Sequence, residues 1–400
     1  MPKIVHINAT ANWGSTGRIA EQLCNILSLK GWECYIAYGR YSNPSRSHLI
    51  KVGNRLSVYV HYIENRLLDN EGLASRLATK RLIRQLKEIS PDIIHLHNIH
   101  DHWINYKILF EFLNSTNIPV VWTQHDCWAF TGGCAHYSIN SCLKWQCDCR
   151  NCQYKKTLID RSARILYLKQ SLFLANKNLT IVPVSQWLTQ EVGKSFFKGN
   201  IIRTIYNGVD VNIFKYKNGE LLRKKYGLTD KFVLIGVASV WSNEKGFKDY
   251  IALSKRLPDD CVIVMVGLPS NRIESLPDNI IGIERTNNIE ELVELYSMAD
   301  VVLNLSYEES FGLTTVEGLS CGTPSIVYNA TASPELVTPD TGIVVRKGDV
   351  NEVLEAVRHM KRLGKSYYFD ECRKRAVDVF DKNKCFDKYV ELYNEILGRL

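Results

Sequence analysis

No stretch of this chain approaches the roughly 18 consecutive apolar residues that a membrane-spanning helix needs, so an integral membrane protein is not expected. The opening, MPKIVHINATANWGS, goes straight into a strand-like run and lacks the apolar core of a signal peptide. A cytoplasmic protein is therefore expected. Low-complexity tracts and short-period repeats are also missing, and the 45% hydrophobic and 23% charged fractions are those of an ordinary soluble globular protein. At 400 residues, one hydrophobic core is too few, and two domains of about 200 residues are the default.

Acidic residues are scarce in the first half. Residues 1–190 carry 22 Lys and Arg against 12 Asp and Glu, a net +10, whereas residues 191–400 carry 28 against 30, a net −2. That asymmetry suits a first half that meets something anionic, or a merely solvated basic surface. The segment 73–89, LASRLATKRLIRQLKEI, sets Leu73, Leu77, Ile83 and Leu86 among Arg76, Lys80, Arg81, Arg84 and Lys87. Such a helix can lie on an anionic bilayer, although packing on its own sheet is the commoner use of its leucines. Peripheral contact with the cytoplasmic face of a membrane is the expectation drawn from it.

What the chain has in quantity is alternation. KIVHIN (3–8), ECYIAYG (33–39), DIIHLHN (92–98), PVVWTQHD (119–126) and LTIVPVS (179–185) read as strands buried on both faces. Helix-period segments at 17–31 and 74–90 lie between them. The pattern restarts with strands at 232–239, 261–267, 279–284, 300–306, 324–328 and 342–345, and helices at 246–257, 289–299 and 350–363. Alternating strands and helices imply parallel sheets. The predicted architecture is α/β: two Rossmann-like, doubly wound domains, 1–190 and 191–400, facing a central cleft. A terminal helix is expected to pack back on the first domain.

Ligands of open parallel sheets bind beyond the carboxyl ends of the strands. Glu309 stands just past the strand DVVLNLS, and Phe311, Gly312 and Leu313 should open the next helix, whose unpaired amides suit an anion. Glu317 falls in the first two turns of that helix. Amides for a phosphate, flanked by two carboxylates for hydroxyls, match a nucleotide sugar.

With EESFGLTTVEGLSCGTPSIV, SNEKGF (242–247), YNGVDVNIF (206–214), VPVSQW (182–187) and the glycine loop NWGSTGR (12–18) in order, the sequence resembles the family 4 retaining glycosyltransferases of the GT-B fold. The resemblance spans residues 3 to about 345. It implies that Glu309 contacts the transferred sugar and Glu317 holds the ribose, and that Lys245 neutralises the diphosphate with the amides of Phe311, Gly312 and Leu313. It adds Ser310 to the donor site and has Gly14 and Gly17 admit the phosphates. Many members carry an arginine shortly before the lysine; here Val240 and Trp241 stand there, and Arg18 is the expected substitute. His125 is implied as a catalytic residue, with Asn98 and Asp126 on the acceptor side. No divalent metal is demanded for catalysis. The implied partners are a nucleotide-sugar donor and a saccharide or lipid-linked saccharide of surface polysaccharide synthesis.

Cysteine is far from scarce: six of 12 lie in 127–152, an insertion ending in Cys149-x2-Cys152. With Cys134 and Cys142, for either of which Cys147 or His136 could substitute, these make a candidate structural zinc site; disulfides are less expected without export, and six free thiols are the alternative. Four histidines close the strand at 92–98, but their spacing mixes strand and loop. Two rival functions remain. An epimerase of the same architecture would dispense with the acceptor. A metal-knuckle nucleic-acid-binding protein would leave the second-half motifs unexplained, and no basic–aromatic module supports it, so no nucleic-acid partner is expected.

Overall fold

The computed structural model describes residues 1–152, 155 and 157–398 of the chain. They form two compact units, Met1–Ile205 with Phe386–Leu400, and Tyr206–Cys385. The first runs past residue 190 because two further elements belong to its sheet side. These are the helix Gln186–Lys194 and a two-residue strand, Ile201–Ile202, that pairs parallel with the strand before it.

The first unit holds a seven-stranded sheet: β1 Lys3–Asn8, β2 Glu33–Tyr38, β3 His48–Lys51, β4 Ile93–Leu96, β5 Val120–Gln124, β6 Leu179–Pro183 and β7 Ile201–Ile202. Their order is β3-β2-β1-β4-β5-β6-β7, and every pair is parallel. Its helices are α1 Gly14–Leu29, α2 Arg55–Leu68, α3 Arg76–Ile89, α4 Tyr106–Asn114, α5 Ser162–Leu174 and α6 Gln186–Lys194. β4, β5 and β6 are buried at every residue, as continuous apolar runs in a parallel sheet require.

The second unit repeats the plan with six strands: β8 Phe232–Val237, β9 Cys261–Val266, β10 Ile280–Ile283, β11 Val301–Asn304, β12 Ser325–Tyr328 and β13 Gly342–Val345. They run β10-β9-β8-β11-β12-β13. Its helices are α7 Glu220–Lys225, α8 Phe247–Ser254, α9 Ser270–Ile273, α10 Ile289–Met298, α11 Leu313–Ser320, α12 Ser333–Leu336, α13 Val350–Leu363 and α14 Lys365–Val379. A last helix, α15 (Lys382–Ile396), starts in the second unit, and its residues from Phe386 belong to the first. The core joins Leu234, Ile263 and Met265 to Leu303, Leu319, Val353 and Val357. In both sheets the strand order reverses beside the first strand, at β1/β4 and β8/β11. That is where doubly wound sheets open a binding crevice.

The helix expected at 74–90 forms as α3, but its apolar stripe is not free. Ala78, Leu82 and Leu86 are buried, while Leu77 and the cations Arg76, Lys80, Arg81, Arg84 and Lys87 are exposed. α3 therefore packs on its own sheet by the commoner rule for an amphipathic helix, and Leu82 and Leu86 are unavailable to a bilayer. No helix among the described residues is long and apolar enough to cross a membrane. Leu86→Ala should cost about 2–5 kcal/mol of unfolding free energy in urea. Leu77→Ala should stay within about 0.5 kcal/mol of the parent; equal losses would mean that α3 is turned the other way.

Candidate functional site

In the second unit the chemistry gathers at the β8/β11 reversal. After β8 the chain makes a 3-10 turn, Asn243–Lys245, closed by Gly246 at φ 74°. A β-carbon on Gly246 would meet the Leu305 carbonyl oxygen at 2.2 Å, so only glycine lets this turn lie against the end of β11. The Tyr307 amide donates to the Glu244 carbonyl at 2.8 Å, tying the two loops together. Lys245 Nζ then lies 2.6 Å from Glu309 Oε1. The Glu309 backbone is clamped on both sides by Thr331, which accepts from its amide at 2.8 Å and donates to its carbonyl at 2.7 Å.

Gly312, at φ 101°, is the N-cap of α11, and no side chain caps that end. The Thr315 amide donates to the Gly312 carbonyl at 3.1 Å, and the amides before it in the first turn are left for a ligand or water. Ser310 and Leu313 flank this opening half-buried, while the Phe311 ring is buried against Tyr206 and Phe380, so Phe311 has only its backbone to offer. Glu317, one turn into α11, accepts from the Tyr296 hydroxyl at 2.8 Å. Lys245, Glu309, Ser310, Phe311, Gly312, Leu313 and Glu317 are thus brought to one helix end.

Of the residues that stand where an arginine was looked for, Val240 is exposed and Trp241 is buried, its indole donating to the Val266 carbonyl at 2.9 Å. A cation from α9 reaches this loop. The Arg272 guanidinium donates to the Trp241 carbonyl at 2.8 Å and lies 4.9 Å over the Phe247 ring. Sequence spacing could not reveal it, because Arg272 comes from the neighbouring strand's crossover. Arg18, the expected substitute, stands in the first unit, where its Nε donates to the Gly14 carbonyl at 3.1 Å.

In the first unit, Gly14 (φ 66°) opens α1 just beyond β1, again with no side-chain cap. Gly17 sits so close that a β-carbon would meet Thr10 Oγ1 at 2.6 Å. Asn98 lies beyond β4, its amide donating to Asn8 Oδ1 at 3.2 Å across the β1/β4 reversal. Asp126 is fully engaged. Its Oδ2 meets His100 Nε2 at 3.0 Å and its Oδ1 accepts from the Trp128 amide at 2.8 Å. Burial alone would lower the His100 pKa, but Asp126 and Asp101 beside it raise it well above the ordinary value. Burial works against Asp126 too, yet the His100 charge and the hydrogen bonds bring its carboxyl down to about 2.

His125 belongs to a group that the sequence did not assemble. His6 on β1, His95 on β4 and His97 just past the end of β4 share one face, since His6 pairs with His95 and residues two apart point the same way. His6 Nδ1 lies 3.0 Å from His97 Nε2, and His97 Nδ1 lies 3.1 Å from His125 Nε2. His95 contacts Thr123 Oγ1 at 2.7 Å and the Tyr393 hydroxyl at 2.6 Å. Burial lowers the pKa of His6 to about 3 and of His125 to about 4, and depresses His95 and His97 as well. All four are neutral imidazoles near pH 7. Ligand atoms of His6, His95 and His97 lie within 4.8 Å of one another. Their ring nitrogens are nevertheless taken up by these hydrogen bonds, except for His6 Nε2, which is buried without a partner.

The cysteine insertion follows directly. Cys134, Cys142, Cys149 and Cys152 all line one cavity of 510 Å³, together with His136, Trp145 and Lys155. None of these cysteines is in a disulfide, and burial raises the Cys149 pKa. Among the described residues the four sulfurs are not gathered as tightly as the three histidines are. Below the loop, Lys169 is wholly buried, its ammonium donating to the Trp128 carbonyl at 2.6 Å.

Residues 16–213 match the model described as Glycosyltransferase Family 4, and residues 218–374 match that described as Glycosyl transferases group 1. N-acetyl-alpha-D-glucosaminyl L-malate synthase of Bacillus anthracis is 25% identical over 230 residues, 54% of this chain and 60% of that protein. A glycosyl transferase named for colanic acid biosynthesis in Escherichia coli (strain K12) is 21% identical over 380 residues, 90% of this chain and 91% of that one. Sucrose-phosphate synthase from Thermosynechococcus elongatus has the same fold over the full length of both chains, with a TM-score of 0.74 at 16% identity. Anabaena HepE, solved in complex with UDP-glucose, matches with a TM-score of 0.67 at 16% identity, again over both full chains.

The His100–Asp126 pair gives a pH signature. A raised histidine pKa stabilises fully below its ordinary 6.5 and fades as pH rises toward the folded value; a depressed carboxylate stabilises above its ordinary 3.8 and fades as pH falls toward about 2. The pair therefore contributes most between those ordinary values. Asp126→Asn should lower unfolding free energy by about 3 kcal/mol near pH 5, with a smaller loss at pH 2.5. A loss that does not change with pH, measured by urea unfolding, would remove the ion pair from the account.

Proposed function

The chain belongs to the family 4 glycosyltransferases of the GT-B fold, and on that premise we propose a retaining transfer of a hexose from a nucleotide sugar to a saccharide acceptor. The observation that carries the reading is the Lys245–Glu309 contact of 2.6 Å at the uncapped start of α11. A cation, free amides and a carboxylate there offer partners to a diphosphate and to sugar hydroxyls. Glu317, further along α11, is the group for the ribose hydroxyls. Cleavage of the anomeric C–O bond leaves its electron pair on the diphosphate, and Lys245 and the α11 amides are aimed at that growing charge. The acceptor hydroxyl attacks from the face the phosphate leaves, and its proton passes to the departing phosphate oxygen. Positive charge comes from the protein, so the reading needs no divalent metal at this step. An epimerase remains the alternative until transfer to an acceptor is measured.

The acceptor proposed is a lipid-linked saccharide of surface polysaccharide synthesis, supported by the colanic acid assignment of the Escherichia coli relative. A uridine nucleotide is the first donor to try, because HepE was solved with UDP-glucose. Thermal-shift screening against UDP, GDP and ADP tests this directly: a ligand that binds only the folded chain raises its midpoint. No shift with any nucleotide would undermine the donor site itself.

Glu317→Ala should raise the donor KM and leave kcat nearly unchanged, while Glu309→Ala should lower kcat by roughly a hundredfold. Lys245→Ala should cost about tenfold or more in kcat. Equal KM effects for both glutamates with turnover intact would overturn the assignment of their roles.

For the insertion we propose a structural zinc held by Cys134, Cys142, Cys149 and Cys152, on the ground that all four line one cavity with no disulfide among them. Protein purified from a reducing cytoplasm should carry about one zinc per chain, lost together with stability in Cys149→Ser. Elemental analysis finding neither zinc nor iron would leave a thiol-lined cavity and nothing more.

A further inference from the structure

Helix α2 is built the wrong way round for a helix of a soluble domain. Leu56, Tyr59, Val60, Ile63 and Leu67, at spacing i, i+3, i+4, i+7, i+11, form one stripe, and all five are 39–68% exposed. The only buried residue of the helix is His61, on the other side, whose ring accepts from the Gly72 amide at 3.0 Å and contacts Ser75 Oγ at 2.9 Å. A surface helix normally turns such a stripe to the core, and contiguous exposed apolar surface of this kind marks an interaction site.

The neighbourhood extends the stripe and charges its edge. The Leu158 amide donates to the Arg66 carbonyl at 3.0 Å, which sets Leu158 and Ile159, both exposed, at the carboxyl end of α2. On the other flank a groove of 580 Å³ runs between α2 and α3, lined by Lys51, Leu77, Arg81, Arg84 and Glu88 among others. Arg81 and Arg84 stand exposed in that groove, Arg55 and Arg66 are exposed on α2 itself, and Arg76 at the start of α3 pairs with Glu64 of α2 at 3.2 Å.

We propose that α2 is a membrane-docking helix: its apolar stripe enters the interface of an anionic bilayer while the α3 cations contact the lipid headgroups. Apolar residues on one face with Lys and Arg beside them are the composition of a helix that lies in the interface plane. Charge decides between a bilayer and a second copy of the chain. A two-fold contact would place this patch against itself, and with it a cluster of cations against like cations, whereas anionic lipid neutralises them. α2 thereby takes the part that the sequence alone gave to 73–89, and α3 keeps the electrostatic half of it. The inference deepens the reading of a lipid-linked acceptor, but its test involves no transfer reaction, so either can fail without the other.

Full-length protein is sedimented with vesicles of phosphatidylcholine alone or of equal parts phosphatidylcholine and phosphatidylglycerol, at low and moderate salt. Binding to the second and not the first is expected. Leu56→Ser/Ile63→Ser/Leu67→Ser should reduce the bound fraction by about tenfold or more, while costing the fold little because each side chain is already partly in water. Arg81→Glu/Arg84→Glu should weaken binding at low salt and have little further effect at moderate salt. Far-UV circular dichroism and the thermal midpoint confirm that each variant is folded. Wild-type protein that ignores anionic vesicles at low salt, or a triple serine variant that binds as well as the parent, would overturn the proposal. So would a dimer in sedimentation velocity that the triple variant reduces to monomer, because the stripe would then be an interface between copies.

Discussion

Burial of both faces of a parallel sheet governs the rest of this protein. β4, β5 and β6 are covered at every residue, and β9, β11 and β12 equally so. A side chain that must stay charged cannot be kept in such a strand without a partner. Charged chemistry is therefore driven to the strand ends and the helix starts that follow. Lys245, Glu309 and Glu317 stand there in the second unit, and Arg18, His100 and Asp126 in the first. The reversal of strand order at β1/β4 and β8/β11 then decides which ends have room beside them. The location of the candidate site is a consequence of sheet burial before it is a matter of any one residue.

The four histidines of the first unit are the exception that obeys the same constraint. They survive in and at the end of the sheet because they are neutral and hydrogen-bonded, His6, His97 and His125 to one another and His95 to Thr123 and Tyr393. A neutral imidazole has one N–H and one lone pair, so the run His6–His97–His125 must point one way along its length. His6 Nε2 is buried without a partner, and an orphaned acceptor is tolerated better than an orphaned donor. With the lone pair there, His6 Nδ1 donates to His97 Nε2 and His97 Nδ1 donates to His125 Nε2. His125 is left with its proton on Nδ1. The lone pair that a general base would use is then already occupied by His97. This fits a transfer in which the leaving phosphate takes the proton.

Much of the fold was legible because buried strands print as apolar runs. All eleven strands read from the sequence form within a residue or two of their expected bounds. β3 and β7 escaped: β3 is an edge strand with one buried residue in four, and β7 is two residues long, so neither shows a periodic signal. Around α11 the order of Glu309, Phe311, Gly312, Leu313 and Glu317 was readable, since the helix start is local in sequence. Arg272, Thr331 and Tyr296 were not, because they reach the site from other crossovers, 22 or more residues from the group each one touches or, for Tyr296, from a helix read only for its period. The histidine run failed for the same reason. His95 and His97 were visible as a pair, but their partner His6 is 91 residues from His97, and only the β1–β4 register brings it near.

Helices α2 and α3 show where periodicity misleads. Both have apolar residues at helical spacing, and that spacing says which residues share a face without saying what the face meets. In α3 the stripe meets the sheet; in α2 the inner side is held by His61, Ser57 and Asn65, whose hydrogen bonds go to Ser75, Gly72, Asn54 and His102. A helix anchored by polar contacts no longer needs its leucines for the core, and they are free to point outward. The cost of exposing them to water is then a standing drive toward any surface that covers them. Polar anchoring within and apolar exposure without are two sides of one arrangement, and only the anchoring partners, scattered from Asn54 to His102, could have announced it in advance.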